Sequence, residues 1–245
     1  YVDTAYPYHG GESETVVGLA LQDGYRERVA LTTKLPVWLV KEPADVMRFL
    51  DEQLEKLKTD HVDFYLVHAL DREKWEITKK NGVLDILKQA KAEGKIRHIG
   101  CSFHDSYDVF EEIVTAFDWE LVQIQLNFLY ADYQAGVRGL ELLKSHGIPC
   151  SIMEPLKGGK LAFAGNEQIA ELWNNYPVHR TPVEWAFRYL ADMDGINVIL
   201  SGSSDMAQLC DTIDIFSRPD MTPGCITLLS SYLLYDAIGW THSFL

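Results

Sequence analysis

Polar side chains that could do chemistry stand at the ends of successive apolar runs of this sequence. They are Asp3, Lys34, His68, Ser102 and Gln123. A lysine in an apolar run needs a partner, because burying an unpaired ammonium costs several kcal/mol. Asp3 could be that partner, and a loop could bring Tyr8 back over the strand end. A strand-end histidine alone is more often structural, but these residue types together favour acid–base chemistry at one site.

Apolar runs rich in β-branched residues alternate along the chain with segments of helical periodicity. The predicted strands are residues 1–5, 28–35, 62–69, 96–103, 121–129, 149–156 and 196–202. The predicted helices are residues 43–58, 81–92, 107–117, 135–146, 183–190 and 206–216. Strand starts recur about every 25–35 residues, which is the length of a βα unit. Repeated βα units form either a doubly wound sheet or a (β/α)8 barrel.

The positions of the polar residues favour the barrel. A doubly wound nucleotide-binding fold should carry G-x-G-x-x-G after its first strand, and residues 3–11 have no such string. A barrel keeps its active site at the carboxyl ends of its strands. We therefore predict an α/β fold, a (β/α)8 TIM barrel lacking its first strand and helix, over residues 1–219. Residues 220–245 are predicted to be an apolar tail, either a short helix packed on the barrel or a non-native extension.

Composition excludes several classes of protein. The 245 residues carry a formal net charge of −14, which disfavours a broad nucleic-acid or anionic-membrane surface. A hydrophobic content of 47% is that of a globular protein and excludes intrinsic disorder. The four cysteines stand singly, so no disulfide framework or metal motif is predicted, and a reducing cytoplasm is the expected location. No apolar run reaches the roughly 18 residues of a membrane span.

Several motifs are similar to those of one known family. Residues 1–14, YVDTAYPYHGGESE, resemble the opening signature of aldo-keto reductases, D-T-A-x-x-Y-G-x-x-E. The resemblance continues through residues 33–35, 66–68, 94–102, 122–123 and 154–159, and covers about residues 1–216. It is strongest to a bacterial branch that often carries a C-terminal iron–sulfur extension, whose cysteine cluster is absent here.

The resemblance implies NAD(P)H-dependent reduction of small aldehydes or ketones by hydride transfer. It assigns the catalytic tetrad to Asp3, Tyr8, Lys34 and His68. Tyr8 would be the general acid, and because a tyrosine is a poor acid at neutral pH, a nearby cation such as Lys34 is needed to favour its phenolate. Asp3 would hold that lysine charged, and His68 would orient the carbonyl. Tyr6 and His9 flank the proposed acid, but the five-residue offset from Asp3 favours Tyr8.

The resemblance also implies a cofactor site. Ser102 and Gln123 would contact the nicotinamide amide, and Met153 would cover the ring. The pyrophosphate would lie along Glu154, Pro155, Leu156 and Gly158. The adenosine phosphate would lie at Gly202, Ser203, Gln208 and Asp211, near a predicted helix N-terminus. NADP is the expected cofactor, with NAD as the alternative because no Lys or Arg lies between Arg188 and Arg218.

Two other functions remain open from the sequence. Lys34 could be the amine of a Schiff-base aldolase, which also uses a barrel. The chain could also be a catalytically defective barrel fragment that keeps the tetrad by descent. Trp38 and Trp75 could line a substrate pocket, although aromatic loop residues are as often packing residues.

Overall fold

The computed structural model describes residues 1–163 and 167–218. Within them, seven parallel strands form one sheet in which every strand pairs with its neighbours in sequence order. The strands are β1 (Val2–Asp3), β2 (Leu31–Leu35), β3 (Val62–Leu70), β4 (Ile96–Phe103), β5 (Leu121–Gln125), β6 (Cys150–Met153) and β7 (Ile196–Ile199). The predicted α/β class and all seven predicted strands are confirmed. The predicted tail, from residue 220, lies outside the described residues, and the division of the chain at 219 stays a prediction.

Helices connect the strands. They are α1 (Ser13–Ala20), α2 (Ala44–Leu57), α3 (Arg72–Lys80), α4 (Val83–Ala92), α5 (Tyr107–Thr115), α6 (Gly136–Ser145), α7 (Glu167–Asn174), α8 (Pro182–Ala191) and α9 (Met206–Ser217). The six predicted helices are present, whereas α1, α3 and α7 were not predicted. In α1 the usual pattern of buried apolar and exposed polar residues is reversed. Val16 and Leu19 are exposed, while Glu14 and Gly18 are buried. No helix in the described parts of the chain is long and apolar enough to cross a bilayer.

The sheet curls around its interior. Asp3 lies on β1 and Gln123 lies on β5, four strands away. In a flat sheet those strands would be about 19 Å apart, because neighbouring strands lie about 4.8 Å from each other. Nevertheless, Nε2 of Gln123 lies 3.2 Å from Oδ2 of Asp3. The sheet therefore wraps as in a barrel, and the strand ends face one another across a central space.

The core fills both faces of the wrapped sheet. All five residues of β2 are buried, as expected for a parallel strand covered on its inner and outer faces. On the outside, α2 packs an apolar stripe that includes Val46, Phe49 and Leu50 against the strands. The strand ends that carry the polar residues are thus fixed by packing on two sides.

A β-bulge interrupts β3 where it carries His68. The register between β3 and β4 shifts between Val67 and Leu70. Ala69 takes a left-handed backbone conformation there, with φ of 53°, which is uncommon for a residue other than glycine. An extra residue in a strand bends it and turns the neighbouring side chains. The bulge therefore sets the direction in which His68 leaves the sheet.

Candidate active site

Parallel pairing brings the first strand ends together. Asp3 of β1 pairs with Thr32 of β2, and Lys34 lies two residues further along β2. Residues two apart in a strand point to the same face, so Asp3 and Lys34 both face the interior. Oδ1 of Asp3 lies 2.5 Å from Nζ of Lys34, which forms the predicted ion pair.

Lys34 is wholly enclosed. Its side chain has no exposed surface, and its ammonium also donates to the carbonyl oxygen of Thr4 at 2.9 Å. The third contact of Nζ is the Tyr8 hydroxyl oxygen, at 3.4 Å. A carboxylate and a carbonyl around a buried ammonium offset the cost of removing it from water. Lys34 is therefore a fixed positive charge directed at a phenol.

Tyr8 reaches this charge through a tight turn. It begins a 3₁₀ turn (Tyr8–Gly11) in which His9 and Gly10 both have left-handed backbone, with φ of 52° and 68°. Tyr8 is 37% exposed, so its ring stands at the mouth of the sheet while its hydroxyl contacts Lys34. Tyr6 instead points away and donates to Oε1 of Glu52 at 3.1 Å. The geometry thus brings Tyr8, and not Tyr6, to the lysine.

His68 completes the group as a neutral ring. Burial, and then the positive charge of Lys34, lower the pKa of His68 from 6.5 to about 3. Its ring lies edge-on to that of Tyr8, with 5.8 Å between centroids. Trp38 lies on another side, 5.3 Å away, whereas Trp75 is buried in the core. The four predicted tetrad residues therefore meet at one strand end, with Trp38 beside them.

The two residues expected at the nicotinamide amide lie next to the tetrad. Gln123 donates from Nε2 to Asp3, as described above, which links β5 to the ion pair. The Ser102 hydroxyl oxygen accepts a hydrogen bond of 2.7 Å from the backbone N–H of Ala69 in the β3 bulge. Both side chains are almost fully buried. The structure therefore gives each of them a contact that supports the tetrad.

The loop after β6 holds the residues predicted to line the pyrophosphate. Asn127 donates from Nδ2 to the carbonyl oxygen of Glu154 at 3.1 Å, which fixes the start of the loop. The backbone is left-handed at Glu154 and again at Gly158 and Gly159. A Cβ at either glycine would enter open space, so the backbone there is accessible. Met153 ends β6, and Pro155 and Leu156 follow on the loop, whose accessible backbone fits an extended anionic group.

The segment after β7 holds the remaining predicted residues. Gly202, Ser203, Gln208 and Asp211 lie on the exposed loop and first turns of α9. Asp205 caps α9, accepting from the backbone N–H of Gln208 at 2.9 Å. The Gln208 amide oxygen in turn accepts from the backbone N–H of Ser204, also at 2.9 Å. The predicted helix start is therefore capped by its own Asp205, which leaves a carboxylate at the helix N-terminus.

Sequence analysis missed several contacts of the site. The Thr4 carbonyl on Lys34 and the Asn127 amide on Glu154 are bonds that involve backbone, so no motif announces them. Lys157 donates to the Tyr130 hydroxyl and lies over that ring, 3.7 Å from its centroid. Both residues come from loops whose conformation the sequence does not specify. The only sequence feature that could have indicated such contacts is a polar residue placed among apolar ones.

Comparison with known proteins identifies the family. Residues 1–223 match the family model described as the aldo/keto reductase family. An NADH-specific methylglyoxal reductase of Escherichia coli (strain K12) is 29% identical over 182 residues, 65% of this chain, and the chain spans about half of that relative, 53%. A methylglyoxal reductase of Yersinia pestis is 30% identical over 194 residues, covering 76% of this chain and 68% of the relative.

A solved structure agrees on the fold. The holo form of an aldo-keto reductase from Bacillus halodurans is similar with a TM-score of 0.78 over 94% of this chain and 81% of that one. At 22% identity this likeness shows the barrel arrangement of strands and helices. The predicted barrel and the predicted resemblance are both confirmed, and the chain belongs to the aldo/keto reductase family of oxidoreductases.

Proposed function

We propose that this protein reduces small aldehydes or ketones with a hydride from a nicotinamide dinucleotide. The observation that carries the proposal is the contact of the buried Lys34 ammonium with both Asp3 and the Tyr8 hydroxyl. Asp3 keeps the lysine charged, and the lysine faces the one partner that can lose a proton. This arrangement suits a reaction in which a carbonyl oxygen gains negative charge and then a proton.

The chain's own residues would handle that proton. Nζ of Lys34 donates to Oη of Tyr8, so the hydrogen on Oη is free to point toward the substrate. When the carbonyl oxygen takes this hydrogen, Tyr8 becomes a phenolate that the ammonium stabilises. His68 is neutral, so it can donate an N–H to the carbonyl oxygen without competing as an acid. The products are an alcohol and the oxidised dinucleotide.

The residues present fit a nicotinamide dinucleotide. The bound cofactor would supply the hydride that adds to the carbonyl carbon. Ser102 and Gln123 would hold the amide of its ring, and Met153 would cover the ring face. Accessible backbone at Gly158 would hold the pyrophosphate. The start of α9 at Gly202, Ser203, Gln208 and Asp211 would lie at the adenosine end.

The relatives suggest a substrate class. The two curated relatives described above are named for methylglyoxal, a small 2-oxoaldehyde. The Tyr8 ring lies edge-on to the neutral His68 ring, and the Trp38 ring lies against His68, so an apolar ring and a neutral donor stand at the mouth beside Tyr8. A compact, uncharged dicarbonyl matches such a mouth. We therefore propose methylglyoxal as the first substrate to test.

Replacing Tyr8 by Phe tests the proposal. The variant removes the proton donor and keeps the ring, so kcat should fall by about 10²–10⁴-fold. Dinucleotide affinity should not change, because Tyr8 is proposed to contact the substrate. Steady-state NAD(P)H oxidation with methylglyoxal, and nicotinamide fluorescence titration, give the two quantities. Tyr6→Phe is the matched control, because its hydroxyl bonds Glu52 and not Lys34.

The two other functions predict different results. Full activity in Tyr8→Phe would contradict the proposed acid. A Schiff-base aldolase would form a substrate adduct on Lys34 that borohydride traps, but an ammonium paired with Asp3 at 2.5 Å lacks the free lone pair that this needs. A defective fragment would show no saturable dinucleotide binding at all.

A further inference from the structure

A buried polar cluster lies behind Lys34, on the outer face of the sheet. Thr33 directs its side chain to this face, because side chains alternate along a strand. It meets Glu14 of α1, Gln53 of α2 and Tyr65 of β3, and none of these four residues has exposed surface. Burying polar groups together is costly unless hydrogen bonds satisfy them, so their pattern of bonds matters. The proposed reaction uses none of the four.

Gln53 connects this cluster to the backbone of Lys34. Its Nε2 lies 3.0 Å from the carbonyl oxygen of Lys34 and 2.5 Å from Oε1 of Glu14. The Tyr65 hydroxyl donates to Oε1 of Gln53 at 2.6 Å, which fixes the orientation of the amide. Thr33 donates to the same Glu14 oxygen at 2.5 Å. The backbone of Lys34 is thus tied to the first turn of α1.

The same turn of α1 also reaches the other end of Lys34. The hydroxyl of Ser13, next to Glu14, lies 2.8 Å from the hydroxyl of Thr4. The carbonyl oxygen of Thr4 accepts from the Lys34 ammonium at 2.9 Å. Two consecutive residues of α1 therefore hold the lysine from two directions, one through its backbone and one through its charged end.

We propose that Ser13 and Glu14, in the first turn of α1, position the Lys34 ammonium against the Tyr8 hydroxyl. These two residues are called the clamp below. The inference rests on the proposed function, since that contact matters only if Tyr8 moves a proton. Ser13 and Glu14 are positioning residues, because they touch neither substrate nor cofactor. Misplacing a catalytic group by about 1 Å can cost about 10²-fold in rate, so the clamp has a measurable effect.

The charge on Glu14 is not needed for the clamp. Burial raises the pKa of Glu14, against the opposing effects of its bonds to Thr33 and Gln53. Lys56 and Glu52 on α2 are the charged groups that also act on it. What the clamp needs is an acceptor oxygen at the Oε1 position. Glu14→Gln keeps such an oxygen, whereas Glu14→Ala removes it.

The test compares Glu14→Ala with Glu14→Gln and with Glu12→Ala, a control at an exposed neighbouring acid. Glu14→Ala should lower kcat about 10- to 100-fold and leave KM and dinucleotide affinity unchanged. Glu14→Gln and Glu12→Ala should stay near wild type. A second measurement does not depend on turnover. NMR of protein labelled with ¹⁵N-lysine measures the rate at which the Lys34 ammonium exchanges its protons. The Lys34 signal is assigned as the one that is absent from Lys34→Met. Glu14→Ala should raise that exchange rate about tenfold, because a displaced ammonium would weaken one of its own hydrogen bonds, to Asp3, Thr4 or Tyr8.

Each outcome decides the inference. Wild-type ammonium exchange in folded Glu14→Ala would overturn the clamp, even if kcat falls. Faster exchange that Glu14→Gln restores would support it. If Glu14→Ala does not fold, the partly exposed Ser13→Ala serves instead, and unchanged exchange there would overturn the clamp. If the wild type reduces no carbonyl, the proposed function fails, and ammonium exchange still judges the clamp.

Discussion

At the scale of single residues, the neighbours of each buried group decide which groups of the site carry charge. The Lys34 ammonium donates hydrogen bonds to Asp3 and to the Thr4 carbonyl oxygen. His68 stays neutral because burial disfavours its charged form and Lys34 repels a second positive charge. The site thus combines a buried cation, Lys34, with a buried neutral hydrogen-bond donor, His68, as carbonyl reduction requires.

The low pKa of His68 makes folding stability depend on pH. Below 6.5 the unfolded chain binds a proton at this residue, whereas the folded protein binds it only near 3. The free energy of unfolding should therefore fall as pH drops through the window from 6.5 toward 3. Between pH 7 and pH 5 wild type should lose about 1–2 kcal/mol more than His68→Gln. Urea unfolding of both proteins at both pH values measures this difference.

Other groups are common to both proteins in that comparison. His104, which acts electrostatically on His68, also has a pKa lowered by burial, and its contribution cancels in the difference. Equal losses in wild type and His68→Gln would show that His68 accepts a proton in the folded state. The orienting role proposed for its neutral ring would then be wrong.

At the scale of elements, close packing of α1 on α2 places the clamp. Gly18 of α1 is buried, and a Cβ there would overlap the backbone carbonyl of Lys56 at the end of α2. Gly18→Ala should force the helices apart and lower the free energy of unfolding by about 1–3 kcal/mol, because backbone on a packed helix cannot yield cheaply. It should also lower kcat, since Glu14 lies one turn away. Urea unfolding and steady-state kinetics give both values.

An exposed position on the same helix provides the comparison. Leu19→Ala alters a side chain that is 55% exposed, so it should change stability by no more than about 0.5 kcal/mol. If Gly18→Ala is as stable as Leu19→Ala, the helices have room to separate. Tight α1–α2 packing would then not be what holds Glu14 in place.

At the scale of the whole molecule, the alternation of apolar runs and helical segments is enough to predict the fold. Parallel strands buried on both faces have continuous apolar sequences, so all seven were visible. Helix α1 was hidden because its buried positions are Glu14 and Gly18, a hydrogen-bonding residue and a close-approach residue. Local sequence patterns indicate the burial of hydrophobic side chains. Helix α1 packs instead through the hydrogen bonds of Glu14 and through Gly18, which has no side chain.

The candidate site was predictable for the same reason and to a similar extent. Asp3, Lys34 and His68 stand out because they are polar residues in apolar strands. Their supports do not, because the Ala69 bulge and the Thr4 carbonyl depend on backbone conformation and on pairing between distant segments. Long-range geometry of that kind leaves no local signal in a sequence.

Overall charge bears on which dinucleotide binds. The chain has a net charge of −14, and the start of α9 presents Asp205 and no Lys or Arg. The resemblance implies NADP, but the extra phosphate of NADPH should be repelled there, so we expect NADH, the alternative, to bind more tightly. Gln208→Arg should lower the Kd for NADPH about tenfold, less so at high salt, and leave NADH unaffected. Fluorescence titration at two salt concentrations measures both.

Gln208→Leu is the control, because it removes the amide without adding charge. Tighter binding of NADPH than of NADH by wild type would contradict the expected repulsion. An unchanged NADPH affinity in Gln208→Arg would place the phosphate away from α9.

Complete enclosure of Lys34 has a consequence for durability. Reactive 2-oxoaldehydes damage proteins by condensing with amines that are accessible and unprotonated. Lys34 offers neither condition, because its side chain has no exposed surface and its nitrogen is held as an ammonium by Asp3. If the proposed function holds, Lys34 would thus be out of reach of glycation by the substrate, whereas an exposed lysine such as Lys88 would not be shielded in this way.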